Sequence, residues 1–501
     1  MNTEIELKYL LKDDDVDNKL AGLLTRHNIA YTHSKKHLIN SYYDTPELAL
    51  RNADIGLRIR EFEDASKEQT IKLAGTVIGG LHQRPEFNVM VDSNVPDLAL
   101  FDATIWPETI DVEQINIRLQ RLFTTNFVRS SYMISDPQGN QLELVFDSGT
   151  IANSQHNVGI HELEIELIDG DSSFIFDLAK LLFAEFTMRP GVQSKAARGY
   201  QLANLQDESP LDDDRDLVLA LTPDDDLIHS FQAGLGQCLT YMQAQIERYL
   251  NDHDLLVLKR ITDTLALVRH GIWLYKDYLP EQQADLLRQQ IKHILTELCW
   301  VKTACQIKEL TDKKGNYRRK IENSDLLLEQ LKEQKHQLVD VNDVAALLMS
   351  EQFNLLQLSM LQLTIADWTT LQTDTTLMDL AKSWLSIHRD SLHEHMAADI
   401  DLGATDYINH HKQVIFSLLT GCWFGRLFMD SNRQEYRGPW LDIHQGVDEL
   451  ETLYFLKHYL QQHGEQPATN LVMWIDEKID VLLLALEQCR QVAFTLRPYW
   501  L

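Results

Sequence analysis

The sequence is short of cysteine pairs, of basic charge and of long apolar runs. Its five cysteines stand at positions 238, 299, 305, 422 and 489, and no two of them form a C-x-x-C pair. An odd number of such scattered thiols indicates reduced cysteines in a cytosolic chain rather than a disulfide framework or a zinc site.

Basic residues are scarce relative to acidic ones. Lysine and arginine number 46 against 75 aspartates and glutamates, which gives a formal net charge of -29. A surface of that sign repels nucleic acid and anionic membrane, so we expect neither as a partner. The acidic charge does not exclude a phosphate substrate, because divalent metals can bridge carboxylates to phosphate oxygens.

Signals for export and for membrane insertion are absent from the sequence. The N-terminal MNTEIELKYLLKDDD has no basic segment followed by an apolar one, and VLLLALEQC at 481–489 is too short to span a membrane. Gly79-Gly80 is not followed by G-K-[ST], so we predict a hairpin turn there rather than a P-loop. We expect a cytoplasmic protein.

The spacing of apolar residues differs between the two parts of the chain. Up to about residue 168 apolar residues alternate with polar ones, and beyond about residue 227 they recur every three or four positions. We predict an α+β protein: an N-terminal domain at 1–203, an acidic linker at 204–226, and an all-α helical bundle at 227–501. Within the first domain, strands are predicted at 2–11, 37–44, 55–63, 68–76, 84–91, 126–134, 140–149 and 157–168. Helices are predicted there at 15–28, 112–123 and 172–187.

Several strands carry charge on one face. Residues two apart in a strand share a face, so the charged positions of EIELKY (4–9), GLRIRE (56–61) and HELEIEL (161–167) lie opposite aliphatic ones. One interpretation is a sheet with its ionic face in water. The other is a barrel of eight strands whose ionic faces line the lumen, with helices covering the aliphatic outside. The pattern alone does not decide between them.

A lumen lined with both signs of charge has a definite chemistry. Arginine and lysine bind phosphate oxygens, and clustered carboxylates bind Mg²⁺ or Mn²⁺, which prefer oxygen ligands. Such a site suits a short, highly charged phosphate chain.

These residues resemble a known family. E-I-E-L-K at 4–8 is similar to the E-x-E-x-K signature of the CYTH superfamily, also called the triphosphate tunnel metalloenzymes. The similarity continues through SYYDTPELALRNADIGLRIRE (41–61), TIKLAG (70–75), HQRPEF (82–87), ELEIEL (162–167) and SKAARGY (194–200). It covers essentially all of 1–200. The family fold is an eight-stranded antiparallel barrel with a charged tunnel, so the resemblance implies the second interpretation.

The resemblance also implies roles for individual residues. The catalytic residues that it implies are Glu4, Glu6, Glu164 and Lys195. The implied substrate-binding residues are Lys8, Arg58, Arg60, Lys72, Arg84, Arg129 and Lys195, with Arg198 as a further candidate. The implied metal ligands are Glu4, Glu6, Glu86, Asp147, Glu162, Glu164 and Glu166, with Mg²⁺ or Mn²⁺ as the cofactor.

The activity implied by the family is metal-dependent hydrolysis of inorganic triphosphate to diphosphate and phosphate. Alternatives are thiamine triphosphatase or adenylyl cyclase activity, or a phosphate-polymer binding module with little turnover. A tunnel domain followed by helices resembles the bacterial CYTH–CHAD arrangement. A CHAD-like domain implies contact with polyphosphate, although acidic residues outnumber basic ones in this helical part.

Histidines cluster in the helical part, in HRDSLHEH (388–395) and at His410-His411. Their spacing does not match a zinc ligand set, because adjacent residues cannot share one helix face. We expect these histidines to lie on solvated helix surfaces.

Overall fold

The first part of the chain folds into a closed antiparallel barrel. The structure, a computed structural model, describes residues 2–203, 217–313, 315, 317, 325–338, 340–368, 373–463 and 469–501. The strands are β1 (Asn2–Leu11), β2 (Tyr31–Asp44), β3 (Gly56–Glu61), β4 (Lys67–Lys72), β5 (Thr76–Ile78), β6 (Leu81–Val91), β7 (Gln120–Ser135), β8 (Gln141–Ala152), β9 (Asn157–Asp169) and β10 (Met188–Pro190). Eight of them form a ring in the order β1-β9-β8-β7-β2-β3-β4-β6, which the β1–β6 pairing closes. The predicted α+β class with an N-terminal barrel is confirmed.

Apolar side chains cover the outside of the barrel and pack under short helices. These helices are α1 (Val16–Arg26), α2 (Ala49–Asn52), α3 (Val112–Asn116), α4 (Ser173–Glu185) and α5 (Lys195–Ala203). Tyr9 on β1 meets Phe183 of α4 edge to face, with 5.3 Å between ring centroids. On another side, Ile59 and Ile71 are buried in a cluster with Leu98. Burial of each such side chain contributes roughly 1.5–3 kcal/mol, so the aliphatic faces turn outward and the ionic faces inward.

The strand boundaries differ from the prediction in several places, including β6, which begins at Leu81 instead of residue 84, and β10, which was not predicted. Helix α3 ends at Asn116, and residues 120–123, predicted to be helical, begin β7. Residues 31–36 extend β2 beyond the predicted strand at 37–44, and they pair with β7. Residues 73–76 do not continue β4, and β5 is a separate strand against β6. In each case the hydrogen-bonded partner strand, which the local pattern does not show, sets the conformation.

From residue 227 onward, the described residues are mainly helical. The helices described there are Leu227–Asp252, Leu255–Leu274, Glu281–Glu297, Val301–Thr311, Asp325–Leu338, Val341–Leu348, Glu351–Ile365, Leu377–Met396, Ala404–Phe424, Asp430–His463 and Thr469–Thr495. Over the described residues, no single helix has the length and apolar composition to cross a membrane. By length and composition alone, the bent pair Leu327–Leu348 and Glu351–Ile365 meets that requirement.

Two compact units make up the chain. Met1–Asp213 with Ala346–Leu358 forms one, and Asp214–Ala345 with Ser359–Leu501 forms the other. The segment 346–358 thus belongs to the barrel unit, where Asn354 Nδ2 donates a hydrogen bond to the Met188 carbonyl oxygen at 2.7 Å. The domain boundaries predicted from the sequence are 1–203 and 227–501. They do not assign segment 346–358 to the first unit, and they remain a proposal.

The predicted acidic linker at 204–226 is described only in part, because residues 204–216 lie outside the described residues. The remainder belongs to the helical unit. Leu219 is fully buried there, and its backbone N–H donates to the Cys422 carbonyl oxygen at 2.8 Å.

Candidate active site in the barrel lumen

The ionic faces of the strands meet inside the barrel. Strand register places Glu6 opposite Glu166, and Glu166 opposite Glu143 on its other side. Like charges directly opposite each other in a sheet are destabilising. Unless a cation binds beside them, these three carboxylates therefore lower the stability of the barrel. The lumen forms a cavity of about 1000 Å³.

Most of the predicted site residues line this cavity. They are Glu4, Glu6, Lys8, Arg58, Arg60, Lys72, Arg84, Glu86, Arg129, Glu164, Glu166 and Lys195. Asp147 and Glu162 are fully buried and lie outside the lining. Arg198 also lies outside it, and its Nη1 donates to Glu162 Oε2 at 3.1 Å.

One part of the lining is cationic and short of partners. The Nε atoms of Arg58 and Arg84 are buried and have no hydrogen-bond partner among the described residues. Arg60 donates through Nε to the neutral Asn40 Oδ1 at 2.9 Å. Burial, reinforced by the charges of Arg58 and Arg129, lowers the pKa of Arg60 to about 9. A bound polyanion would relieve both the burial cost and the mutual repulsion of these guanidiniums.

Another part of the lining is anionic and under-neutralised. Burial, followed by the charges of Glu4, Glu6 and Glu143, raises the pKa of Glu166 to about 8. Burial also raises the pKa of Glu4, although the Lys72 ammonium at 2.5 Å opposes that shift. These residues present carboxylate oxygens only, which is the donor set that Mg²⁺ and Mn²⁺ prefer. The residues therefore fit a hard divalent cation.

Lys72 and Glu86 lie between these two parts of the lining. Lys72 Nζ contacts Glu86 Oε2 at 2.8 Å as well as Glu4, and Arg58 Nη2 lies 3.5 Å from Glu86 Oε1. Burial would raise the pKa of Glu86, but the charges of Lys72 and Arg58 outweigh it and lower the pKa to about 2. Glu86 is thus an ionised carboxylate whose charge is already shared with two cations.

Lys195 occupies the centre of a separate carboxylate cluster. Its Nζ lies 2.7 Å from Asp147 Oδ2, 2.5 Å from Glu162 Oε1 and 2.9 Å from Glu164 Oε1. One oxygen from each of these three carboxylates lies within 4.8 Å of the others, as metal ligands would. The lysine ammonium, however, already takes the position of the cation. Burial alone would lower the pKa of Lys195, but the three carboxylates outweigh it and raise the pKa.

Two further cations complete this buried network. Lys8 Nζ lies 2.9 Å from Glu164 Oε1, and Arg129 donates to both oxygens of Asp147 at 2.7 and 2.8 Å and to Glu164 Oε2 at 2.8 Å. Burial would raise the pKa of Glu164, but Lys195, Lys8 and Arg129 outweigh it and hold the pKa well below its usual range. Glu164 is therefore an ionised carboxylate that pairs with three basic side chains.

Helix α5 brings Lys195 to the lumen. A Cβ on Gly199 would lie 2.0 Å from the Phe123 ring, so only glycine lets α5 approach β7 this closely. One turn of the helix is also anchored through Tyr200, whose hydroxyl donates to Asp44 Oδ2 at 3.3 Å. The position of Lys195 thus depends on packing between distant parts of the chain.

Some lining residues were missing from the predicted site. They are Tyr42, Glu68, Thr70, His82, Asn88 and Glu143. Glu143 shares the inner face of β8 with Asp147, so two-residue spacing was a usable signal for it. Burial and the nearby Lys8 charge lower the pKa of His82 to about 4, and its Nε2 donates to the Gly191 carbonyl oxygen at 2.8 Å. No local pattern marks His82 as a cavity residue.

Comparison with known proteins places the barrel in a family. Residues 2–200 match the family model described as the CYTH domain. A curated relative, the inorganic triphosphatase of Haemophilus influenzae, is 34% identical over 208 residues, which are 41% of this chain and 56% of the relative. The chain thus spans little more than half the length of that relative. The predicted CYTH domain is confirmed over residues 2–200.

Two solved structures are similar to parts of the chain. A Hippeastrum protein, described as an adenylyl cyclase candidate with a dominant triphosphatase activity, is 17% identical with a TM-score of 0.31. That match covers 42% of this chain and 99% of the Hippeastrum protein. The CHAD domain from Ricinus communis is 18% identical with a TM-score of 0.43, and the match covers 56% of this chain and 96% of that domain. The CHAD-like character of the helical unit stays a prediction.

Proposed function

We propose that this chain, whose residues 2–200 are a CYTH domain, hydrolyses inorganic triphosphate to diphosphate and phosphate in the barrel lumen with the help of Mg²⁺ or Mn²⁺. The observation that carries the proposal is the charge arrangement of the lumen. Two guanidiniums whose buried Nε atoms have no hydrogen-bond partner among the described residues, those of Arg58 and Arg84, lie in the same cavity as Glu166, whose pKa is raised by burial and by neighbouring carboxylates. A metal complex of a short polyphosphate supplies both missing signs of charge at once.

The basic lining residues would bind the phosphates. Arg58, Arg60 and Arg84 offer planar forks that match phosphate oxygens, and Lys8 and Lys72 offer point charges. Arg129 already donates hydrogen bonds to Asp147 and Glu164. In this proposal it therefore attracts the phosphates mainly through its positive charge. The set as a whole orients the chain of phosphates along the lumen and excludes water from their charged oxygens.

The carboxylates grouped around Glu166 would hold the metal. Glu4, Glu6, Glu143 and Glu166 are the residues with this capacity, and Glu86 is a further oxygen donor next to Lys72. A bound divalent cation would neutralise phosphate charge and make a water more acidic. Glu4 and Glu6 keep the catalytic role that the family resemblance implies, as carboxylates that contact the reacting complex.

We assign Asp147 and Glu162 a positioning role rather than metal ligation, because Lys195 occupies the space between them. Glu164 holds Lys8, Lys195 and Arg129 toward the lumen, and its depressed pKa makes it a poor proton acceptor at neutral pH. Lys195 would act on the substrate through its charge, from a position fixed by three carboxylates.

The Haemophilus relative supports the reaction, since it is an inorganic triphosphatase at 34% identity. Thiamine triphosphatase, adenylyl cyclase and polymer-binding roles remain alternatives that no described contact favours. Polyphosphate contact by the helical unit, the absence of nucleic-acid and membrane partners, and a cytoplasmic location also remain proposals.

The test is product analysis by phosphorus NMR with inorganic triphosphate, thiamine triphosphate, ATP and long-chain polyphosphate, each with Mg²⁺ or Mn²⁺. We expect triphosphate to give diphosphate and phosphate in equal amounts and faster than any other substrate. Formation of cyclic AMP from ATP would indicate an adenylyl cyclase instead. Faster cleavage of thiamine triphosphate than of inorganic triphosphate would indicate a thiamine triphosphatase. Binding of triphosphate or polyphosphate without products would indicate a binding module.

A further inference from the structure

Three metal-ligating side chains converge in the helical unit. Helix Ala404–Phe424 supplies His411, and helix Asp430–His463 supplies His444 and Asp448. One ligand atom from each residue lies within 4.8 Å of the other two. His411, which we predicted to lie on a solvated helix surface, is buried. The tunnel chemistry uses none of these residues.

The two imidazoles face each other nitrogen to nitrogen. His411 Nε2 lies 2.7 Å from His444 Nδ1, so a single proton between them completes a hydrogen bond. Two nitrogens bound at right angles to one ion, each at about 2.0–2.1 Å, are about 2.9 Å apart. Replacement of the shared proton by a metal therefore leaves the separation of the two nitrogens nearly unchanged, but the rings must rotate until both lone pairs point at the ion. A tetrahedral ion needs a separation of about 3.3 Å, which a small rotation of the half-buried His444 ring can provide.

The surroundings favour ligation by neutral imidazole. His411 is buried, and burial disfavours a charged imidazolium, so the ring is suited to act as a neutral ligand. Asp448 Oδ2 lies 3.8 Å from His444 Nε2 and supplies negative charge beside the pair. The nearby Lys302 ammonium is paired with Glu451 at 2.5 Å, which reduces its repulsion of a cation. His444 and Asp448 are partly open to solvent, so water can complete the coordination.

We propose that His411, His444 and Asp448 bind a borderline divalent transition metal of the Zn²⁺, Co²⁺ or Ni²⁺ type. Two imidazoles and one carboxylate suit these ions, whereas Mg²⁺ prefers the all-oxygen set in the lumen. The ion joins helix Ala404–Phe424 to helix Asp430–His463. Its binding therefore stabilises the folded helical unit. The proposal is independent of the reaction in the barrel.

The experiment titrates the metal-free, untagged full chain with Co²⁺ while excess Mg²⁺ occupies oxygen-only sites. Visible absorption reports imidazole ligation, and calorimetry gives the stoichiometry. His444→Ala is the test variant because its side chain is partly exposed. The matched control is His458→Ala, which removes an exposed histidine from the same helix. Thermal unfolding with and without Zn²⁺ gives a second readout for each protein.

We expect one Co²⁺ per wild-type chain, with affinity reduced about tenfold or more in His444→Ala and unchanged in His458→Ala. Zn²⁺ should raise the unfolding temperature of wild type and of the control only. Asp448→Asn should weaken binding without removing the absorption band. Equal binding by wild type and His444→Ala, or no imidazole-type absorption in wild type, would overturn the proposal and leave a hydrogen-bonded histidine pair.

Discussion

Arg60 is the residue whose environment differs most from that of a structural arginine. Its side chain lines the barrel lumen, its Nε donates to the neutral Asn40, and Arg58 and Arg129 lie nearby. Its Nε donates to an amide oxygen and not to a carboxylate. A buried charge without a counter-charge costs stability, so its presence is best explained by an anion that binds there.

This explanation predicts that one substitution weakens substrate binding without lowering the stability of the fold. Arg60→Met should raise the KM for triphosphate at least about tenfold, because a phosphate contact is lost. The same change should leave the free energy of unfolding unchanged or increase it, because a poorly paired buried charge is removed. Steady-state kinetics and thermal unfolding of the same sample measure both effects. A destabilised variant with an unchanged KM would show that Arg60 serves the fold.

Helix α5 is the element on which the buried part of the site depends. It places the Lys195 ammonium among Asp147, Glu162 and Glu164, with only 9% of the lysine side chain exposed. Removal of one partner from a buried charge network leaves the others unpaired, which typically costs 3–5 kcal/mol. Lys195 is therefore expected to affect stability as well as turnover.

We predict that Lys195→Met lowers the free energy of unfolding by about 3 kcal/mol or more. Combining it with Glu162→Leu should recover part of that loss, because the pair is then removed together. Chemical denaturation of the two single variants and the double variant forms the required cycle. If the losses of the two single variants simply add, Lys195 and Glu162 do not interact and the buried network is misassigned.

The barrel strands show what local sequence can and cannot predict. Two-residue spacing identified the charged faces of β1, β3 and β9, because alternation is a property of one strand. The proximity of Glu143 to Glu166 depends on register between strands, and the start of β7 at Gln120 depends on its pairing with β2. Neither is encoded in a short window. The family resemblance, rather than the spacing, decided that the charged faces point inward.

Relations between remote segments were the least predictable. The inclusion of 346–358 in the barrel unit and the burial of His388 and His411 depend on packing of helices that are far apart in sequence. Helical periodicity identifies an apolar face but does not identify a histidine that a neighbouring helix covers. The charge separation within the lumen likewise emerges only when all eight strands are closed.

At the scale of the whole molecule, buried histidines make stability depend on pH. His270 and His388 pack with 5.6 Å between ring centroids, and burial lowers their pKa values to about 3 and about 4. In the unfolded chain these pKa values return to about 6.5. Below that pH the unfolded chain binds more protons than the folded one, so stability falls as pH decreases from about 6.5 toward 4.

We predict that His388→Leu reduces this loss. The His388 Nε2 atom is buried with no hydrogen-bond partner among the described residues, so leucine should be tolerated at pH 7. At pH 5 the variant should retain about 2 kcal/mol of stability that wild type loses through this residue. Denaturant unfolding at both pH values, followed by the fluorescence of neighbouring Trp273 and Trp384, tests this. An equal loss in both proteins would exclude His388 as a source of the pH dependence.

The most direct test of the central claim is the rate of phosphate release from inorganic triphosphate by the full chain, with Mg²⁺ and then with excess EDTA. Glu6→Gln is compared with Glu113→Gln, which alters an exposed glutamate of α3. We predict EDTA-sensitive release that Glu113→Gln retains and that Glu6→Gln lowers about 100-fold or more, with both variants folded. Release that survives EDTA, or near-normal release by Glu6→Gln, would contradict a metal-dependent reaction at the carboxylates of the lumen.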